Sequence, residues 1–133
     1  MLVIKKAQIQ AFIAEDDTGL IRVIREIIRE AFHEGVADYS DEKLDGMVRI
    51  GIEKAKSREF ERAEDIAAFV AIMFEISPNF DIQEHIDAFF KDETVPKDMR
   101  MEFLLGRVQN ETWAEAENTY DAKAWFPDSK EEA

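Results

Sequence analysis

The stretch from Glu64 to Pro78 constrains this chain more than any other. Ile66, Ala67, Ala68, Phe69, Val70, Ala71, Ile72, Met73, Phe74 and Ile76 form an apolar run interrupted only by Glu75, and Ser77-Pro78 closes it. By periodicity alone, such a run fits either a buried strand or a buried helix. Its length, its alanines and its acidic start at Glu64 and Asp65, where a helix dipole favours negative charge, predict a helix over 64–77. A helix that is apolar all round must be enclosed by its neighbours, so this element belongs at the centre of a bundle.

The flanking sequence supplies those neighbours. Leu20, Ile21, Ile24, Ile27, Ile28, Ala31 and Phe32 form an i, i+3, i+4, i+7 stripe. With Thr18 as N-cap and Gly35 as stop, they predict an amphipathic helix over 19–34. A shorter helical pattern covers 6–15. Ser40, followed by Asp41 and Glu42, opens a helix over 41–57 whose apolar face runs through Leu44, Met47, Val48, Gly51, Ile52 and Ala55. A glycine on that face costs about 1 kcal/mol relative to alanine, which points to close approach of another helix. Ile82, Ile86, Phe89 and Phe90 mark a short helix. Thr94 and Pro96 look like the entry to a last long one over 97–125, carrying Met101, Leu104, Val108, Trp113, Ala116, Tyr120 and Ala124. The expectation is an all-α fold: a compact single-domain bundle of five or six helices around a central apolar helix.

Charge narrows the function classes. The chain has 133 residues, with 30 acidic against 17 basic side chains, a net charge of −13, and no cysteine. Disulfides, thiolate metal sites and cysteine nucleophiles are excluded. A phosphate-neutralising surface, and with it nucleic acid as a partner, is not expected. No apolar run is long enough to span a bilayer, and the apolar stretch at Met1-Leu2-Val3-Ile4 is too short for a secretory signal; a soluble, cytoplasmic protein is expected. Residues 111–133 hold seven acids, two bases and both tryptophans. They read as an acidic, aromatic helical extension (111–133) appended to a bundle domain (1–110).

Motifs for chemistry do not complete. Glu30 and His33 have the Glu-x-x-His spacing of a carboxylate-bridged di-metal bundle, but the only other histidine, His85, is preceded at three residues by Ile82. Asp41 to Ile52 starts like a calcium loop, yet its third and twelfth positions are Lys43 and Ile52. The five glycines are isolated, and no Gly-x-Ser-x-Gly elbow occurs. Asp81 and His85 read as a surface ion pair, and Glu61, Glu64 and Asp65 as a solvated helix start. No catalytic, cofactor-binding or metal-ligating residue is assigned, and no enzyme is expected. What remains is an aromatic stripe, Trp113 and Tyr120 followed by Trp125 and Phe126. It either docks on the chain's own bundle or anchors a protein partner; sequence leaves both open. The acid excess suits solubility or a basic partner.

A further set of residues carries a resemblance. Ile4-Lys5-Lys6-Ala7-Gln8 with Phe12, Gly51-Ile52-Glu53-Lys54-Ala55, Glu64-Asp65-Ile66, Phe69, Met73-Phe74, Phe80-Asp81, and Val95-Pro96 with Arg100 are arranged at helix-level spacing over residues 4–108. In these stretches the chain resembles a family of small helical proteins encoded in bacterial type VI secretion gene clusters, beside the spike protein and its toxic effectors. The resemblance implies a protein-binding accessory factor, an adaptor or chaperone for an effector or spike component. An immunity protein neutralising a cognate toxin is the alternative. A small carboxylate-based enzyme or metal-binding protein is the third reading.

Overall fold

In the computed structural model, which describes residues 17–125, six α-helices form: α1 (Asp17–Ala31), α2 (Asp41–Ser57), α3 (Ala63–Glu75), α4 (Glu84–Phe90), α5 (Arg100–Arg107) and α6 (Asn110–Asn118). Single 3-10 turns lie at Phe80–Ile82, Lys97–Met99 and Ala122–Ala124, and the described residues contain no strand. The helical pattern at 6–15, Phe126 and Pro127 lie outside them.

The apolar run is the central helix. Ile66, Ala67, Phe69, Val70, Ala71, Ile72 and Met73 of α3 are buried, with α1, α2 and α5 packed around them. On α1, Leu20, Ile21, Val23, Ile24, Ile27 and Ile28 are buried. Packing of this face, rather than the weak helix propensity of its β-branched residues, supports the helix. Thr18, expected as the N-cap, lies within the helix, which ends at Ala31, earlier than Gly35 suggested. Arg29 holds the chain that leaves it, donating from Nη1 to the Val36 carbonyl and from Nη2 to the Tyr39 carbonyl and Asp41 Oδ1.

Both ends of α2 are capped by sequence. Ser40 Oγ accepts from the Lys43 amide at 3.0 Å. At the other end Phe60 N donates to Ala55 O and Glu59 N to Lys56 O, the paired bonds of a Schellman cap. The left-handed position of that cap is filled by Glu59 (φ 71°) where glycine is the usual occupant. Between these ends Gly51 meets α3: a Cβ there would lie 2.8 Å from Val70 Cγ2. The close approach expected from a glycine on the apolar face is therefore present.

The C-terminal third differs from expectation. The single helix over 97–125 is broken into a 3-10 turn, α5, α6 and a second 3-10 turn, with Val108 extended (ψ 129°) between α5 and α6. In one continuous helix Leu104 and Trp113, nine residues apart, would face about 180° away from each other. The break at Val108 lets both be buried in one core. Residues 111–125 are accordingly no appendage in packing terms, because Trp113, Ala116 and Trp125 belong to the same buried cluster as α1–α5.

Candidate functional site

Between α3 and α4 the chain runs through the interior as Ser77-Pro78-Asn79-Phe80-Asp81-Ile82-Gln83, and its alternate polar residues Ser77, Asn79, Asp81 and Gln83 are all buried. A buried connector must satisfy its polar groups with side chains or distant backbone. Ser77 Oγ donates to Ala116 O. Asn79 donates to Thr119 O and accepts from the Asp121 amide. Gln83 donates to Glu115, while its Oε1 accepts from the His85 and Ile86 amides and so caps α4. Asp81, only 4% exposed, is held by two cations from α2's C-terminal end: Lys54 Nζ at 2.9 Å and Arg58 Nε at 3.0 Å. The expected Asp81–His85 surface pair is thus replaced by a buried ion cluster, because the 3-10 turn at Phe80–Ile82 directs Asp81 towards α2.

The cluster extends outward. Arg58 Nη1 also pairs with Asp87, which meets Lys91 on its other oxygen. Hydrogen bonds from Lys91 and Arg58 hold the Asp87 carboxyl below the usual carboxylate range. Arg100, 5% exposed, stacks on the Phe60 and Phe90 rings and donates to the carbonyls of Arg58 and Phe90. Those carbonyls end α2 and α4, where helix dipoles favour a cation. Arg100 therefore fastens two helix ends. Asp65, expected in a solvated helix start, is instead buried under Arg62, whose Nε lies 2.9 Å from its carboxylate.

On another side of the molecule, a groove of about 490 Å³ opens between the end of α1, the interior faces of α2 and α3, and the C-terminal turn. Met47 and Met73 are buried in its lining, Phe32 and Phe74 are half-buried, and Trp125 and Tyr120 complete it. The structure separates the four aromatic candidates. Trp113 is buried beside Phe80, with ring centroids 6.2 Å apart, and Trp125 is buried against Phe74 at 4.5 Å. The exposed one is Tyr120, at 53%, whose hydroxyl accepts from Trp125 Nε1. Phe126 lies outside the described residues. Of these three candidates, Trp113 and Trp125 have their rings engaged in the core, and Tyr120 presents a face to solvent.

A second depression, about 360 Å³, is lined by Thr119 and Asp121 and carries Ile82, 66% exposed, beside Glu84 and Glu115. Sequence reasoning missed Ile82 as surface, reading it as part of a helix face. The alternation of small polar residues from Ser77 to Gln83 was the available signal for the buried connector. His33 and His85 are both exposed. Among the described residues no group of three or more His, Asp or Glu side chains is placed to hold a metal ion. No helix among them is long and apolar enough to cross a membrane.

Compared with models of known families, with curated proteins and with solved structures, the chain finds no match.

Proposed function

We propose that this chain is a non-enzymatic protein-binding accessory factor acting in the cytoplasm, an adaptor or chaperone for a type VI secretion effector or spike component. The observation that carries the reading is the groove bordered by Phe32, Phe74 and exposed Tyr120 in a chain of net charge −13. A concave surface of mixed aromatic and polar character on a strongly acidic body favours a protein ligand, with opposite charge speeding encounter. The resemblance to proteins encoded beside spike and effector genes supplies the class of partner. Its matched residues Gly51, Lys54, Asp81 and Arg100 are framework positions in this fold, so they bear on kinship of fold rather than on a binding face.

Co-purification with the products of neighbouring genes, coupled to a secretion assay, tests the proposal. An adaptor binds an effector or spike protein, and its deletion abolishes secretion of that protein. Rescue of cells expressing a toxin when secretion is disabled would assign the chain to immunity instead. Absence of both phenotypes would overturn the reading.

A further inference from the structure

The groove at the end of α1 is distinguished by aromatic rings and hydrogen-bond acceptors, and not by charge. Five of its twelve lining residues are aromatic, Phe32, Tyr39, Phe74, Tyr120 and Trp125, in a chain that is 11% aromatic. Phe32, Tyr39 and Phe74 are half-buried and Tyr120 is exposed, so ring surface can be reached from solvent. Met47 and Met73 complete this part of the lining. Ring faces and thioether sulfurs both favour an aromatic guest.

The charges around the groove balance. Glu34 lies in its lining, and Asp41 is paired with Arg29, which holds the Val36 and Tyr39 carbonyls. Lys43 lies 4.6 Å from the centre of the Tyr39 ring. Two acids therefore face two bases, with His33 exposed beside them, and neither sign of ligand charge is selected. The polar capacity comes from a helix end. The Ile28 carbonyl is met by the Phe32 amide and the Phe32 carbonyl by the Val36 amide, but the carbonyls of Arg29, Glu30 and Ala31 receive no backbone amide among the described residues. Carbonyls of a last turn point along the axis past the helix end, and Ala31 at that end lines the groove.

From this combination we infer that the groove holds a tryptophan side chain of the protein partner. The indole ring lies against the aromatic lining and donates its N–H to a carbonyl at the end of α1. Indole is uncharged and is a donor without an acceptor, which matches a balanced site whose helix end offers only acceptors. Phenylalanine has no donor, and lysine or arginine would add a charge that the lining does not select. A second copy of this chain is a poor source of the ring, because Trp113 and Trp125 are both buried.

The inference rests on the protein-binding role proposed above and has a separate test. Full-length protein labelled at its methionine methyl groups is titrated with N-acetyl-tryptophanamide, a neutral indole, and followed by NMR. The Met47 and Met73 signals shift, whereas those of Met99 and Met101, outside the groove, stay in place. Methylating the indole nitrogen weakens binding about fivefold, as loss of one hydrogen bond does. N-acetyl-phenylalaninamide binds more weakly than the tryptophan compound, and salt leaves the affinity of the neutral probe unchanged. Ala31→Gln, at an exposed position in the lining, weakens binding about tenfold, as obstruction of a central contact does. Ala88→Gln, exposed on α4 outside the groove, changes it less than about twofold, as distant independent sites do.

Equal shifts at all four methionines, indifference to methylation of the nitrogen, equal effects of the two substitutions, or no shift would each overturn the inference. Failure of the probe alongside a natural partner that still co-purifies would remove the tryptophan anchor and leave the protein-binding role standing. Probe binding without a secretion or immunity phenotype would do the reverse.

Discussion

At Asp81 a single carboxylate faces two cations across 23 and 27 residues of chain, Arg58 and Lys54. Replacing it with asparagine keeps the shape and leaves both cations short of their counter-charge. Because Lys54 and Arg58 are partly solvated, the expected cost is below that of a fully buried pair, about 2–3 kcal/mol, measurable by urea unfolding. Asp87 makes a pH prediction. Its native pKa is lowered from the ordinary 3.8 by Lys91 and Arg58, so the stability it contributes is present above that value and is lost as pH falls through the native one. The urea midpoint of Asp87→Asn should therefore fall less steeply below pH 3.8 than that of the parent chain, and an equal fall in both would show that the pair is not coupled to folding. None of this was legible beforehand. Ion pairs between distant chain positions leave no periodic trace, and the near pair His85 four residues on was the only partner that spacing could offer Asp81.

At the scale of elements, sequence was most informative where one helix carries its own signals. The Ser40 cap and the apolar face of α2 matched expectation, and so did the all-round burial of α3. Gly51 was readable because a glycine on an apolar stripe has few reasons to be there other than contact. Gly51→Ala should destabilise the bundle by about 1–2 kcal/mol despite the better helix propensity of alanine. The reason is that the new methyl would meet Val70 at 2.8 Å and Met73 Sδ at 3.2 Å. A rise in thermal midpoint would mean that α2 and α3 can part without loss. The break at Val108 was illegible for the opposite reason. Val108 itself fits a helical stripe, and the need for a turn arises only because Leu104 and Trp113 share one core.

The described residues share one interior, continuous from α1 to Trp125. A ring path runs from Phe90 through Phe69 and Phe80 to Trp113, with neighbouring centroids 6.2, 4.9 and 6.2 Å apart. Trp113→Ala should cost about 3–4 kcal/mol, the range for removing a large buried aromatic ring. Removing residues 111–133 should abolish the cooperative far-ultraviolet unfolding transition, whereas an unchanged transition would make this segment the dispensable extension that its composition suggested. Composition misled here because acidic residues cover the outer faces of α6, with Glu111, Glu115 and Glu117 exposed, while its two inward residues are Trp113 and Ala116.

The connector from Ser77 to Gln83 also imposes an order of events on the nascent chain. Ser77 and Asn79 find their acceptors 39 and 40 residues later, at Ala116 and Thr119. Until that distant segment has been translated and has left the ribosome, these polar groups have only water as a partner, and water keeps the interior of α3 open. Completion of the native state therefore waits on translation of α6, leaving an interval in which the oily α3 is bare and exposed to any holdase or aggregating neighbour within reach.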